Sequence, residues 1–210
     1  AIERLVMKAE STLERRPPQA DLWSGTNVND AWPALLGGVA AAGVAGLAGC
    51  AGDESASISP VSIDEDQACD QCGMIVSDHP GTVGQVHFED DEPEGGRPAQ
   101  FCSGTCTYRY RFDAEDQGRT ALATFLTDYS AVDQEVFEEG GDTMFSSHVE
   151  SEAFAREPEL TVVVRSEVIG AMGPDLVPFS EDGDAEEFIA EYGGEAMAAT
   201  EVERATLEAL

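Results

Sequence analysis

Residues Cys69-Asp70-Gln71-Cys72-Gly73-Met74 contain a closely spaced cysteine pair, and a second pair follows in Phe101-Cys102-Ser103-Gly104-Thr105-Cys106. Thiolate and thioether sulfur bind soft metals such as Cu(I), zinc and iron–sulfur clusters in preference to hard cations. A methionine two residues after a Cys-x-x-Cys pair favours copper within that group. The leading hypothesis is therefore a metal-handling protein.

The same cysteine spacing fits two other kinds of site. A structural zinc ribbon or knuckle would use the four thiolates in a tetrahedral site that holds the local fold together. One or two disulfides are expected instead if the domain lies outside the cytoplasm, where thiols oxidise. A thiolate metal site and a disulfide can also be two states of the same cysteines, so spacing alone leaves all three open.

The charge balance excludes one class of partner. The chain has 210 residues, with 42 acidic and 11 basic residues and a formal net charge of -31. A phosphate backbone is bound by clustered Lys and Arg, so no nucleic acid is expected as a partner. The acidity is spread along the chain, as in haloarchaeal-type proteins, and molar salt screens such carboxylates within about 3 Å. The hydrophobic content of 42% argues against charge-driven disorder.

Residues 1–50 are predicted to be a signal region. Residues 31–49 are uncharged and rich in small side chains, and they lead into Leu47-Ala48-Gly49-Cys50. That end resembles a lipobox, at which the signal is cut and the cysteine acylated. Lipid on Cys50 would anchor the protein at the extracytoplasmic face of the cell membrane. The export route stays open, because Arg15-Arg16 lacks the hydrophobic residues expected after a twin-arginine pair.

The rest of the chain divides into three parts. Residues 51–66 are small, polar and acidic and are predicted to be a flexible tether. Residues 67–200 are predicted to form the metal-binding domain, and residues 201–210 a C-terminal helix.

Within the domain, short hydrophobic runs alternate with turn residues. Strands are predicted at 82–88, 99–101, 121–126 and 160–164. A helix capped by Ser103 would place Cys102 at its N-terminus, where the pKa of a thiol is lowered. A second helix is predicted over 184–192, capped by Asp184. The expected class is α+β, with small antiparallel sheets and helices on one side.

Several of these motifs, in this order, resemble the NosL family over nearly all of residues 67–200. They are Cys69-Asp-Gln-Cys72-Gly-Met74, Asp128-Tyr129, Ala171-Met172-Gly173, Val177-Pro178-Phe179-Ser180 and the run from Asp184 to Gly194. The resemblance implies an outward-facing lipoprotein that binds Cu(I) for the copper-site assembly of nitrous oxide reductase. It also implies a fold of two small, related ββαβ units. Residues 67–113 are similar, in addition, to the YHS/TRASH metal-binding modules.

The NosL resemblance implies a set of metal ligands. Cys72, Met74 and Met172 are the implied copper contacts, with Cys69 as a fourth. The chain departs from the family pattern after Phe101, where acidic residues are usual and Cys102-Ser103 stands instead. Together with Cys106, the extra thiol gives a four-cysteine set that zinc would also accept. Ala171 stands where the family usually has a proline, which is a milder departure.

Other sulfur and imidazole groups have simpler interpretations. His79 and His87 are possible additional ligands, but His79 precedes Pro80 and is expected in a turn, and His87 is expected on a strand. Met74 and Met172 are also of the type that fills gaps in a core. Met144 and His148 have the spacing of one helical turn, without other ligands near them in sequence.

No catalytic motif competes with metal binding. The chain has neither a Gly-x-Ser-x-Gly nucleophile turn nor a phosphate-binding glycine-rich loop. A thioredoxin-like site would need Cys69 and Cys72 to follow a strand and open a helix, which the pattern does not predict. With the NosL resemblance, this absence favours a non-enzymatic protein, and the resemblance implies a membrane-tethered Cu(I) metallochaperone for nitrous oxide reductase assembly. A structural zinc module and a thiol–disulfide redox protein are the alternatives.

Overall fold

The computed structural model of the chain describes residues 58–89, 93, 96–133 and 135–210. The strands in this part are β1 Gly84–Phe88, β2 Ala99–Phe101, β3 Ala121–Thr127, β4 Val136–Glu139, β5 Asp142–Phe145, β6 Phe154–Arg156, β7 Thr161–Val164, β8 Val168–Gly170, β9 Gly173–Pro174, β10 Val177–Phe179 and β11 Glu195–Ala198. The helices are α1 Gly104–Asp116, α2 Asp182–Tyr192 and α3 Arg204–Glu208. The α+β class is confirmed.

The first half of the domain is a ββαβ unit. Strand β1 pairs antiparallel with β2 on one side and with β3 on the other, and α1 connects β2 to β3. Strand β6 extends this sheet beyond β3, which gives the order β2-β1-β3-β6. Val83, Val86 and Phe101 are fully buried in the core of this unit together with three of the cysteines.

The second half repeats the same arrangement. Strand β7 pairs antiparallel with β10 and with β11, and α2 connects β10 to β11, so the order is β10-β7-β11. The hairpin of β8 and β9 lies between β7 and β10 in the chain and belongs to a third sheet, β4-β5-β8-β9, in which β5 and β8 are parallel. The two related ββαβ units implied by the family resemblance are confirmed.

Buried side chains connect the two units. Tyr108 of α1 is fully buried beside Leu126, Val162 and Leu176. Its hydroxyl donates a hydrogen bond of 3.0 Å to the carbonyl of Ala199, just after β11. Burying an aromatic ring of this size with its hydroxyl satisfied stabilises both units at once.

Several predicted element bounds differ from the structure, and among them β3 extends to Thr127 and β7 begins at Thr161. Strand β1 begins at Gly84, because Val83 donates its N–H to the Thr127 hydroxyl. Helix α2 begins at Asp182 with Glu181 at the cap position, so Asp184 lies inside the first turn. The C-terminal helix is confined to Arg204–Glu208, because Val202 before it is extended and buried in the core.

Residues before Gln67, which the sequence assigns to the tether, also contact the domain. Ile63 is buried and donates its N–H to the carbonyl of Val149 at 2.8 Å. The side-chain amide of Gln85 pairs with both backbone groups of Val61. Residues 1–57, with the predicted signal and Cys50, lie outside the described residues. Over the described ranges, no helix combines the length and apolar character that crossing a bilayer requires.

Candidate metal centre

The first cysteine pair lies on a closed loop. Cys69 donates its N–H to the carbonyl of Met74 at 2.8 Å, and Gly73 donates to the carbonyl of Cys69 at 2.8 Å. A β-bridge between Ala68 and Ile75 closes the loop at its base. Gly73 has φ +79° with open space around it, so the left-handed backbone, not crowding, favours glycine there.

An ion pair fixes this loop to strand β2. The Asp70 carboxylate accepts hydrogen bonds from two guanidinium nitrogens of Arg97, at 2.7 and 2.9 Å, and from the N–H of Gln100 at 2.7 Å. Asp70 also donates its own N–H to the carbonyl of Gln100. Bidentate arginine–carboxylate pairs are among the stronger polar contacts in proteins and fix orientation as well as distance. The first cysteine pair is thereby held against the strand that leads to Cys102.

The second cysteine pair lies at the junction of β2 and α1. Ser103 is the extended N-cap residue, and its hydroxyl accepts the N–H of Cys106 at 2.9 Å. The cap predicted at Ser103 is therefore confirmed. Cys102 immediately precedes the cap and Cys106 lies in the first turn, and both are buried.

The four thiols converge on one point. The Sγ atoms of Cys69, Cys72, Cys102 and Cys106 all lie within 4.8 Å of one another. A tetrahedral site with metal–sulfur bonds of about 2.3 Å separates its sulfurs by about 3.8 Å, so a small contraction would enclose one ion. Three of these thiols are buried and Cys72 is exposed. In the described ranges, no other group of three or more Cys, His, Asp or Glu ligand atoms meets so closely.

The proton affinities of the thiols differ strongly. Hydrogen bonds from Cys102 and Cys106 hold the pKa of Cys69 far below its usual value, although burial opposes this. Hydrogen bonds with Cys106 and Cys69, together with burial, raise the pKa of Cys102 far above its usual value. The sequence suggested a thiolate at Cys102, at the start of α1. The structure lowers the pKa of Cys69 instead, because the side chains of Cys102 and Cys106 both hydrogen-bond to its sulfur.

The two predicted methionine ligands lie in different halves of the domain. Met74 follows Cys72 on the loop and packs, half-buried, against the core that contains the buried cysteines. Met172 lies in the turn between β8 and β9 and is 44% exposed. Its neighbour Ala171 packs against that same core. The β8–β9 hairpin of the second unit thus contacts the hydrophobic core that also contains Cys69, Cys102 and Cys106.

The imidazoles do not join the four-thiol group. His79 is half-buried after a short 3-10 turn, and His87 lies on β1 with its ring edge-on to Phe125 at 5.8 Å. Met144 is in strand β5, so the helical-turn spacing to His148 is not realised. His148 lies 3.0 Å from the hydroxyl of Ser146 instead.

A buried carboxylate beside the thiols was not predicted. Asp175 is 2% exposed and accepts hydrogen bonds from the N–H groups of Gly104 and Thr105, at 3.3 and 2.9 Å, and from the Thr105 hydroxyl at 3.2 Å. Burial raises its pKa to about 6, against the lowering effect of these bonds. In sequence, an aspartate after Gly-Pro is typical of a turn, so only the fold reveals its role.

Two ββαβ units with a cluster of four thiols define an α+β protein equipped to bind a soft metal ion. Comparison with known proteins agrees with this class. The NosL family model matches residues 60–207, and the chain belongs to the NosL family.

Individual relatives are similar over most of the domain. The copper-binding lipoprotein NosL of Stutzerimonas stutzeri is 28% identical over 165 residues, which cover 78% of this chain and 77% of that protein. The crystal structure of the copper chaperone NosL from Shewanella denitrificans is 25% identical with a TM-score of 0.51, over 69% of this chain and 95% of that one. The solution structure of apo-NosL from Achromobacter cycloclastes is 19% identical with a TM-score of 0.34, over 59% and 87%.

Proposed function

We propose that this protein is a membrane-anchored, extracytoplasmic Cu(I) metallochaperone that delivers copper for the assembly of nitrous oxide reductase. The relatives described as a copper-binding lipoprotein and a copper chaperone support the class of metal and the class of protein. The observation that carries the proposal is the group of four Sγ atoms within 4.8 Å, of which one is exposed.

Copper is the cargo of this site, and the sulfur donors explain the choice of oxidation state. Thiolates and thioethers prefer Cu(I) to hard cations. Cys69, Cys72, Cys102 and Cys106 would supply thiolates, and Met74 and Met172 would supply thioethers. The pKa of Cys69 is lowered by hydrogen bonds from Cys102 and Cys106, which favours the deprotonated form that metal binding needs.

Transfer is proposed to begin at Cys72. Because this is the exposed member of the group, an incoming sulfur or imidazole of the acceptor reaches the ion from its side. The acceptor ligand forms its bond to Cu(I) as the Cys72 thiolate leaves, and copper keeps its oxidation state throughout. The ion passes through mixed coordination and is never released to water.

The anchor belongs to the same proposal. Acylation of Cys50 would hold the protein at the outer face of the membrane, beside a membrane-bound maturation machinery. Replacing Cys50 by Ser is expected to move the protein from the membrane fraction to the soluble fraction. A Cys50→Ser protein that stays fully in the membrane fraction would contradict lipid anchoring at this residue.

A structural zinc module is the second candidate, and the number of thiols favours it. Four cysteines at near-tetrahedral separations are the usual ligands of a closed zinc site, whereas Cu(I) binds well with two or three sulfurs. A structural zinc site would make folding depend on the metal. In that case chelation would unfold the cysteine loop and α1.

One experiment separates the candidates. The full chain is purified without oxygen, its metal content is measured, and Cu(I) affinity is determined in competition with a chromogenic chelator. Stoichiometric Cu(I) binding that weakens in both Cys72→Ser and Met172→Ala supports the proposal. Unchanged affinity in both variants refutes it, stoichiometric zinc with loss of fold on chelation supports the zinc module, and thiol–disulfide turnover without metal supports a redox protein.

Delivery has its own test in cells. Nitrous oxide reductase from cells that lack this gene is expected to contain less copper than the enzyme from wild-type cells. Complementation with the Cys72→Ser variant should not restore the copper content. A fully copper-loaded reductase in the deletion strain would exclude this delivery route.

A further inference from the structure

We infer that Asp175 is a positioning residue that holds the Met172 hairpin at the thiol cluster, so that the thioether can share the metal with the cysteines. The inference rests on the proposed Cu(I) function and names the device that brings together ligands from the two halves of the fold. It assigns no metal contact to Asp175 itself.

Asp175 connects the hairpin directly to the helix that carries two of the cysteines. It follows β9 by one residue, and its carboxylate accepts the first two amides of α1 and the hydroxyl of Thr105. Cys102 lies just before this helix and Cys106 in its first turn. A displacement of Asp175 would therefore separate the methionine hairpin from the start of α1.

The carboxylate satisfies groups that would otherwise be left unpaired. The first amides of an α-helix have no partner within the helix, and a buried unpaired amide costs about 1–3 kcal/mol. Ser103 accepts the N–H of Cys106, and Asp175 accepts those of Gly104 and Thr105. An anion is also favoured at a helix N-terminus by the helix dipole. Asp175, directly after β9, supplies the acceptor that these two buried amides need.

Glycines make the close contact possible. A Cβ at Gly170 would lie 2.8 Å from a carboxylate oxygen of Asp175, and a Cβ at Gly104 would lie 3.1 Å from the other. A Cβ at Gly81 would lie 3.0 Å from the Cα of Gly170. A Cβ would not fit at Gly170, and at Gly81 and Gly104 it would press on its neighbours, so glycine favours the close approach of the hairpin, the loop at Gly81 and α1.

A second backbone contact fixes the hairpin turn itself. Ala171 donates its N–H to the carbonyl of Pro80 at 2.7 Å, and Gly170 pairs with Gly173 across the turn. Met172 is the exposed residue of this turn, with 44% of its surface accessible. The neighbours of Met172 are held on both sides while its side chain remains available.

The test is a double-mutant cycle on Cu(I) affinity. Wild type, Asp175→Asn, Met172→Ala and the double variant are compared as full chains, without oxygen and at one salt concentration. Asparagine keeps the size of the side chain but places an N–H group where an acceptor is needed. We expect Asp175→Asn to weaken Cu(I) by about tenfold in the wild type, as is typical of residues that orient a metal ligand. In the Met172→Ala background, Asp175→Asn should weaken Cu(I) binding by less than about twofold, because the ligand that Asp175 positions is absent.

Asp128 provides the matched control. It is also a buried aspartate, and it accepts backbone N–H groups from Ser130 and, in the second unit, Ser180, at 3.0 and 2.9 Å. None of its hydrogen bonds is to α1 or to the β8–β9 hairpin. Asp128→Asn is therefore expected to lower stability and to have the same effect on Cu(I) affinity with or without Met172.

The outcomes separate this inference from the function on which it rests. Failure of the wild type to bind Cu(I) refutes the proposed function. The positioning role alone is overturned if the wild type binds Cu(I) normally and Asp175→Asn does not change the affinity. It is also overturned if Asp175→Asn lowers the affinity equally with and without Met172. If Asp175→Asn does not fold, Thr105→Val replaces it, because this variant removes one hydrogen bond to Asp175. Its effect on Cu(I) affinity is then compared between wild type and Met172→Ala in the same way.

Discussion

The Sγ atoms of Cys72 and Cys102 lie 3.4 Å apart, although Cys72 is exposed and Cys102 is fully buried. The pair marks the place where the thiol cluster meets solvent. Reagents that act on thiolates have access to the cluster through Cys72, because the other three side chains are enclosed by the core.

Mild oxidation is expected to join this pair. With a diazene oxidant such as diamide, the two thiols lose two hydrogens and form a Cys72–Cys102 disulfide, while the diazene is reduced to a hydrazine. Peptide mapping by mass spectrometry would identify the bond. Cys72→Ser should oxidise far more slowly, because its remaining thiols are buried, and an equal rate in this variant would contradict the assigned entry point. Cu(I) loading should protect the wild type.

Serine substitutions should separate stability from affinity. Cys72→Ser alters an exposed side chain and is expected to change the free energy of unfolding of the apoprotein by less than about 0.5 kcal/mol. Cys102→Ser places a hydroxyl in a fully buried position and should cost about 1–3 kcal/mol. Denaturant unfolding under reducing conditions measures both, and Cu(I) competition should show weaker binding in each. Equal destabilisation would contradict the difference in burial.

The ion pair between Arg97 and Asp70 should contribute to stability and to metal binding. Arg97→Ala removes both hydrogen bonds to the carboxylate and is expected to cost about 1.5–3 kcal/mol, since their acceptor is charged and largely buried. The loop with Cys69 and Cys72 should then bind Cu(I) more weakly. Arg165→Ala is the control, because its pair with Glu195 is exposed and should contribute at most about 0.5 kcal/mol. Similar costs for the two variants would refute this prediction.

Titration of Asp175 should appear in the pH dependence of stability. Burial raises the pKa of its carboxyl from 3.8 to about 6. Between these values the folded protein retains a proton that the unfolded chain releases, so the contribution to stability is complete at low pH and is lost as pH rises towards 6. The stability of wild type relative to Asp175→Asn should therefore fall by about 2 kcal/mol from pH 4 to pH 6. Parallel pH profiles in denaturant unfolding would contradict this.

Salt should stabilise the fold strongly. A formal net charge of -31 produces self-repulsion, and the screening length falls from about 10 Å at 0.1 M salt to about 3 Å at 1 M. The melting temperature of the apoprotein is expected to rise steadily from 0.1 M to molar KCl. Uncharged sucrose at matched osmolality is the control for excluded-solute effects. An equal gain in sucrose would mean that charge screening is not the cause.

Local sequence signals predicted several helices and strands of the domain. Ser103 has the hydroxyl, the extended backbone and the position that a helix cap requires, and the run of β-branched residues in Thr161–Val164 identified β7. These features depend on neighbouring residues, which a pattern can represent.

Long-range features were beyond the sequence patterns. Asp175 caps α1 across about seventy positions, and nothing near it indicates a buried acceptor. The strands β8 and β9 are three and two residues long and have too few positions for a periodic pattern. The low pKa of Cys69 depends on thiols from a different segment of the chain. Such features arise from tertiary contacts that have no local signature.

The two ββαβ units carry different chemical groups at equivalent positions. The junction between the second strand and the helix occurs twice, with Cys102 and Ser103 in the first unit and Ser180 and Glu181 in the second. One copy places sulfur at this junction and the other places oxygen, so a single architecture is chemically asymmetric. The two halves are therefore not interchangeable: this junction carries a thiol in the first unit and a hydroxyl and a carboxylate in the second.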